Sequence, residues 1–166
     1  MSEAHDEESM ITQDLVDQKG VWGNERISPP IAESDIRKWA IATYWPEKPP
    51  AIYWDAEYAL TTKHKGIIAP SDFNPFAWPI DRPPRPKVSN AARKGSKGKT
   101  GLNGGQTDTY GVSMRPGDVI KARSRLKDFN ERQGRMGLML YTFTETRWTN
   151  QDDELVRTRI STGIRY

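Results

Sequence analysis

Helical spacing of hydrophobic residues marks the first half of the chain. Ile36, Trp39 and Ala40 fall on one stripe of the segment 34–45, which predicts a helix there. Ser34 is a suitable N-cap for that helix, because a serine hydroxyl accepts a hydrogen bond from a free backbone N–H of the first turn. Three prolines follow shortly after the stripe and end the pattern.

Shorter stretches that contain apolar residues predict two more helices and a buried segment. Residues 11–20 and 55–66 each carry a helical pattern that ends in glycine, and Gly66 is expected to cap the second helix. The segment 67–78, IIAPSDFNPFAW, is too apolar to be solvated. We therefore predict a short buried helix there, broken or kinked at Pro75.

Alternation of apolar and polar residues marks the last third of the chain as β structure. Strands are predicted at 108–114, 119–129, 138–148 and 154–166, with a turn at 130–134. In the last strand Arg157, Arg159 and Arg165 alternate with apolar residues, so this basic face is expected to be the outer, solvated side of a sheet. Helices followed by antiparallel strands predict an α+β fold.

Composition changes this picture in two places. A chain of 166 residues fits one domain, which we place at 11–166, after a disordered acidic tail at 1–10 and with a basic loop rich in proline and glycine at 79–106. The absence of cysteine excludes disulfides, thiolate nucleophiles and cysteine-based metal sites, and no other metal-ligand pattern stands out. The first ten residues lack the apolar core of a secretory signal, and no apolar run is long enough to cross a bilayer. We expect a cytoplasmic protein with no membrane partner.

Five sequence stretches match the pattern of a known protein family in their order and spacing. They are IRKWAIATYW, AIYWDAEYA, GIIAPSDF, LNGGQ and RPGDVI. In this order the chain resembles the MaoC-like hot-dog dehydratases over residues 10–166, and it is most similar to the N-terminal branch related to fungal fatty acid synthase. The resemblance implies a hot-dog fold, a curved antiparallel sheet wrapped around a central helix. The segment 69–78 would begin that helix.

The resemblance also implies a chemistry, the reversible addition of water across the double bond of an enoyl thioester, usually on coenzyme A. The family uses an aspartate and a histidine within the motif D-x-N-P-apolar-H. That motif falls on residues 48–53 here, where Lys48 takes the acid position and Tyr53 takes the base position. The two histidines, His5 and His64, lie outside the motif. The resemblance therefore implies a degenerate subunit that pairs with a catalytic MaoC-type subunit.

Candidate binding residues follow from the same resemblance. Tyr53 and Trp54 are expected to line an acyl groove, with simple packing of the two rings as the alternative. The expected backbone contacts to the ligand come from Gly66, Ile67, Ile68, Ala69 and Pro70, unless these residues only begin a helix. The expected contacts to coenzyme A phosphates come from Arg93, Lys94, Lys97 and Lys99, with an acidic partner surface or a solvated loop as the alternatives. The loop has no aromatic residue for base stacking between 82 and 101, so no nucleic-acid partner is expected.

The sequence thus favours a non-catalytic subunit of a heteromeric enoyl-CoA hydratase or 3-hydroxyacyl-CoA dehydratase. Its substrate would be a bulky acyl-CoA, with a long-chain or steroid side-chain acyl group, and no other cofactor is expected. One alternative is a self-sufficient hydratase that uses Glu47 or another non-standard residue. The other is a ligand-binding module without enzymatic activity.

Overall fold

The computed structural model describes residues 9–80, 100–135 and 137–166. Within these ranges the helices are α1 (Gln13–Gln18), α2 (Glu33–Tyr44) and α3 (Ala56–Thr61), and the strands are β1 (Arg26–Ile27), β2 (Gly101–Tyr110), β3 (Lys121–Gly134), β4 (Gly137–Thr149) and β5 (Leu155–Arg165). The strands form one antiparallel sheet in the order β1-β3-β4-β5-β2. Helices first and strands after confirm the α+β class. None of the helices in the described part has the length and hydrophobicity that crossing a membrane requires.

Helix α2 supplies the central contact between the helices and the sheet. Ile36 and Ala40 are fully buried, and Ile36 belongs to the same core cluster as Ile120 and Trp148 of the sheet region. Trp39 meets the ring of Phe73 edge-on, with 5.5 Å between the ring centroids. The predicted stripe is therefore confirmed as the buried face of this helix.

The predicted N-cap at Ser34 is wrong, because α2 begins at Glu33 and its cap is Ala32, which makes no side-chain hydrogen bond. Tertiary contacts set this start instead. The N–H of Ile31 donates to the carbonyl of Asp118 at 2.9 Å, and the N–H of Gly117 donates to the carbonyl of Ile31 at 2.8 Å. The chain is thus fixed to the turn before β3 just ahead of the helix.

The predicted buried helix at 67–78, and with it the central helix expected from 69–78, is also wrong. The N–H of Ala69 donates to the carbonyl of Met114 at 2.8 Å, so the chain pairs with another segment instead of coiling on itself. The N–H of Phe73 then closes a single turn onto the carbonyl of Pro70 at 2.9 Å. The segment is buried only in part: Ile67, Ile68, Ala69 and Phe73 are buried as predicted, whereas Trp78 is 55% exposed.

Three further boundaries differ from the sequence predictions. Helix α3 ends at Thr61 with Thr62 as its C-cap, so Gly66 is not a helix cap. The predicted turn at 130–134 is part of β3, which runs to Gly134 and pairs with Gly137 across a tight hairpin. Strand β2 begins at Gly101 and takes up the end of the predicted loop 79–106. Most of that loop and most of the predicted acidic tail lie outside the described residues.

In the described part of the chain, one edge of the sheet is covered by neighbouring residues and the other edge is exposed. Along β3, the N–H groups of Gly20 and Gly23 donate to the carbonyls of Leu126 and Ser124, both at 2.8 Å. Trp22 covers this side by stacking on the guanidinium groups of two arginines of the sheet. Strand β2 is hydrogen-bonded to β5, and nine of its ten residues are exposed. The edge at β3 is therefore covered, whereas β2 is open.

We predict that Ile36→Ala lowers the free energy of unfolding by about 2 to 5 kcal/mol, because it removes fully buried methyl groups and leaves a cavity. The measurement is equilibrium urea unfolding. Ile41→Ala is the matched control, since Ile41 lies on the same helix and is 45% exposed. We expect a change within about 0.5 kcal/mol for that control. Equal losses for the two variants would show that α2 does not pack by the face described here.

Candidate functional site

A small cavity lies between the segment 68–71, the segment 110–114 and strand β5. Its volume is about 140 Å³. The residues that line it are Tyr53, Ile68, Ala69, Pro70, Ser71, Tyr110, Gly111, Val112, Ser113, Met114, Val156 and Arg157. The lining is mixed, because apolar side chains lie beside two tyrosines, two serines and Arg157.

Tyr53 enters the cavity from a 3-10 turn at Ala51–Tyr53, directly after two prolines. Its ring lies 6.0 Å from that of Tyr44, the last residue of α2. Burial, together with a hydrogen bond to Tyr44 and the charges of Tyr44 and Asp72, raises the pKa of Tyr53 to about 12. Tyr53 is therefore a neutral phenol at physiological pH.

Gly111 brings the segment 110–114 against strand β5. A Cβ at this position would collide with the carbonyl oxygen of Leu155, so a residue with a side chain does not fit without a shift of the backbone. The N–H of Gly111 donates to the carbonyl of Val156, and the N–H of Val112 donates to the carbonyl of Leu155, both at 2.9 Å. This close approach forms one wall of the cavity.

The predicted solvated position of Arg157 is wrong. The pairing of β4 with β5 is irregular next to Trp148, which lies opposite Arg157. The irregularity breaks the alternation of faces, so Val156 and Arg157 are both buried, each 3% exposed. The guanidinium of Arg157 lies over the ring of Trp148, 3.6 Å from its centroid, and its Nε has no hydrogen-bond partner among the described residues.

The charges around Arg157 are not paired one to one. Asp108 accepts two hydrogen bonds from Arg159, at 2.7 Å and 2.8 Å. These bonds, aided by the charges of Arg159 and Arg157, hold the pKa of Asp108 below its usual value in spite of burial. Burial lowers the pKa of Arg157, and repulsion from Arg159 adds to this, whereas Asp108 and Tyr110 act in the opposite direction.

The structure brings together four of the residues predicted for the acyl groove, because Tyr53, Ile68, Ala69 and Pro70 line this one cavity. Trp54, Gly66 and Ile67 are not among its lining residues.

Trp54 packs locally: its Nε1 donates to the carbonyl of Pro49 at 3.0 Å, and the ammonium group of Lys48 lies 4.6 Å from its ring centroid. Ile67 is part of the hydrophobic core. The predicted phosphate contacts, Arg93, Lys94, Lys97 and Lys99, lie outside the described residues.

His64 lies at a different cavity, of about 490 Å³, on the other side of the segment 111–113. Asp118 and Glu154 also line it. Asp118 already accepts hydrogen bonds from the backbone N–H of Arg115 at 2.7 Å and from Gln151 at 3.2 Å. Among the described residues, no group of histidine and acidic side chains is arranged to hold a metal ion.

Comparisons with known proteins identify a matching family model and similar solved structures. The family model described as the FAS1-like dehydratase domain region matches residues 17–159. Among curated proteins, none matches the chain.

Solved structures with a similar fold include the ChsH1-ChsH2 complex from Mycobacterium tuberculosis, with a TM-score of 0.72 and 18% sequence identity over 92% of this chain and 93% of the other. The R-hydratase PhaJ1 from Pseudomonas aeruginosa has a TM-score of 0.57 and 21% identity over 87% and 79% of the two chains. The 3R-hydroxyacyl-ACP dehydratase complex HadBC from M. tuberculosis has a TM-score of 0.58 and 17% identity over 89% and 96%. The similarity confirms the hot-dog fold.

We predict that Asp108→Asn lowers the free energy of unfolding at pH 7 by about 1 kcal/mol, the size of a partly exposed charged hydrogen bond. The pKa of Asp108 in the folded state is lowered from 3.8, so its contribution is present above that value. As the pH falls through and below 3.8, the difference between variant and parent should shrink. Urea unfolding at several pH values measures it.

Asp128→Asn is the control for that experiment, because Asp128 pairs with Lys19 at a distance of 2.6 Å but both side chains are about half exposed. It should cost less stability than Asp108→Asn. A larger loss for Asp128→Asn would contradict the structural role assigned to the Asp108–Arg159 pair.

Proposed function

The chain belongs to the family of the FAS1-like dehydratase domain region, and from this premise we propose that it is the non-catalytic subunit of a heteromeric hydro-lyase. The complex would be an enoyl-CoA hydratase or 3-hydroxyacyl-CoA dehydratase that acts on a bulky acyl thioester, with a long-chain or steroid side-chain acyl group. The chain would shape the acyl groove and stabilise a catalytic MaoC-type subunit.

The observation that carries this proposal is the state of Tyr53. It lies at the position that the family resemblance gives to the catalytic base, and it lines the cavity. A general base must accept a proton near neutral pH. Burial raises the pKa of Tyr53 to about 12, so the phenol keeps its proton and can donate a hydrogen bond but not take up a proton. Hydration would therefore need a base from another chain.

The open edge of the sheet supports a protein partner. Strand β2 is ten residues long and contains no proline, and no other described strand pairs with its outer side, although its pairing with β5 is irregular between Asn103 and Gln106. The cavity adjoins this edge, since Tyr110 ends β2 and Gly111 to Ser113 follow it. Two of the similar solved structures, ChsH1-ChsH2 and HadBC, are themselves complexes. We place the catalytic subunit on β2.

The size of the cavity supports the same arrangement. Pockets for whole ligands usually measure about 300 to 1,000 Å³. At about 140 Å³ the cavity is too small for a bulky acyl chain. A partner on β2 would supply the remaining walls of the groove.

A self-sufficient hydratase is the second candidate. The observation in its favour is that His64 shares a cavity with Asp118 and Glu154. Asp118 is held by two hydrogen bonds of its own, which favours a structural role for that carboxylate.

We predict that the purified chain does not hydrate a long-chain or steroid side-chain enoyl-CoA, because it lacks a base at the position of Tyr53. Co-expression with a MaoC-type protein that has an intact D-x-N-P-apolar-H motif, encoded beside this chain, should give a stable complex with activity. Loss of the enoyl thioester absorbance measures turnover, and size-exclusion chromatography measures assembly.

The control variants are His64→Ala and Glu47→Gln, which should leave the activity of the complex within about twofold of the parent, a change of well under 1 kcal/mol in the barrier. If the lone chain hydrates the substrate and either substitution abolishes that activity, the self-sufficient hydratase is established instead.

We also predict that amide hydrogens of β2 become protected from exchange when the complex forms. An added strand accepts hydrogen bonds from the N–H groups that now face solvent. Hydrogen exchange measured by mass spectrometry on the chain alone and on the complex tests this. The hairpin between Gly134 and Gly137 is the internal control and should not change. Protection that appears at the hairpin but not at β2 would place the partner elsewhere.

A further inference from the structure

An apolar groove lies between β1 and the segment 75–79. Its volume is about 630 Å³, which is within the range of about 300 to 1,000 Å³ that pockets for whole ligands occupy. The lining consists of Ile27, Phe76 and Trp78, three prolines and one charged residue, Arg26. Ile27 is 63% exposed and Trp78 is 55% exposed. Exposed apolar side chains that cluster around a groove mark a binding surface, whereas scattered ones do not.

Both walls of this groove are held in place by the core of the protein. On one side, the N–H of Ser28 donates to the carbonyl of Ile120 at 2.8 Å, and the N–H of Ile120 donates to the hydroxyl of Ser28 at 2.9 Å, so β1 is fixed to the sheet. On the other side, the ring of Phe76 meets that of Trp148 edge-on, with 5.5 Å between the ring centroids. The groove is therefore formed before a ligand binds, as is usual for small-molecule sites.

Arg26 places a cation at the lining of the groove. Its guanidinium lies over the ring of Phe76, 4.7 Å from the ring centroid. Stacking uses the flat face of a guanidinium and leaves its N–H donors, which lie in its plane, for an acceptor. Arg26 is exposed, and its guanidinium forms no hydrogen bond or ion pair with the other described residues. The neighbouring acid, Glu25, is paired with Arg123 instead.

One cation in an otherwise apolar groove matches a molecule with a long apolar portion and a single negative charge. A carboxylate accepts two hydrogen bonds from a guanidinium in one plane. Each methylene of an alkyl chain that leaves water contributes about 0.8 kcal/mol. A thioester has no charge at its carbonyl, so charge complementarity favours a free carboxylic acid over its thioester.

We propose that this groove binds a free long-chain carboxylic acid. Its carboxylate is held by Arg26, and its alkyl chain packs against Ile27, Phe76 and Trp78. The site is separate from the cavity at Tyr53, because the two share no lining residue. Binding at the groove does not require the proposed subunit pairing, since all of these residues belong to this chain.

The test follows the tryptophan fluorescence of the full chain during titration with ω-bromoundecanoate, below the concentration at which this acid forms micelles. Bromine quenches tryptophan only at short range, so an alkyl chain in the groove should quench Trp78 in a saturable manner. The uncharged alcohol ω-bromoundecanol has the same chain and should bind about threefold to tenfold more weakly, because it has no charge to pair with Arg26. If quenching does not saturate, or if the alcohol binds as tightly as the acid, the proposal is wrong.

Arg26→Gln should lower the affinity for ω-bromoundecanoate by about threefold to tenfold and leave the affinity for the alcohol unchanged, since it removes only the charge. Arg132→Gln is the matched control. Arg132 is also exposed and also stacks on an aromatic ring, 5.0 Å from the centroid of Tyr141, but it does not line the groove. It should keep the parent affinity. Equal affinity of Arg26→Gln and parent for the acid would overturn the proposal.

A tryptophan substitution locates the bound chain. Trp78→Phe keeps an aromatic ring in the groove and should remove most of the saturable quenching. Trp45→Phe is the control, because Trp45 is 78% exposed and does not line the groove, and it should leave the saturable quenching in place. Quenching that persists unchanged in Trp78→Phe would place the acid elsewhere and contradict the proposal. If Trp78→Phe does not fold, the comparison of acid and alcohol on the parent chain still decides the question.

Discussion

The stack of Arg157 on Trp148 joins the hydrophobic core to the polar interior of the cavity. Trp148 belongs to the core cluster that contains Ile36 and Ile120, so its ring is held by the helices as well as by the sheet. The guanidinium of Arg157 lies on this ring, and Arg157 is one of the residues that line the cavity. The position of this buried charge at the cavity therefore depends on how well the ring is packed.

Two backbone features make that arrangement possible. The pairing irregularity next to Trp148 allows two consecutive residues, Val156 and Arg157, to be buried together. Gly111 lets the opposite segment approach the backbone of β5 closely enough to roof the cavity. Together these features bury a charged side chain at the cavity that Tyr53 also lines, and burial raises the pKa of Tyr53.

Local patterns predicted the parts of this fold that local interactions determine. The stripe of α2, the α+β class and the existence of the long strands followed from periodicity. The buried part of the segment 67–78 could be recognised, but not its non-helical conformation, because that conformation is set by pairing with Met114, a residue distant in sequence. The start of α2 was missed for the same reason, since the contact of Ile31 with Asp118 decides it.

The candidate site was predictable only in part. The family resemblance grouped Tyr53 and Trp54 with the segment 66–70, and in the structure Tyr53 and residues 68–70 line one cavity. It gave no indication of Arg157, because strict alternation along β5 assigns that arginine to the solvated face. The available signal was Gly111 within the predicted strand 108–114, because a glycine inside a strand indicates a close backbone approach.

The exposed edge of β2 affects how the protein behaves before it assembles with a partner. In the described part of the chain no strand pairs with the outer side of β2, and such an edge is a template to which an extended peptide can add, including another copy of the same chain. If a companion normally shields this surface, surplus molecules made without it would accumulate as aggregates or be degraded. Balanced synthesis of the two polypeptides would then be a requirement imposed by strand geometry, independent of any demand from catalysis.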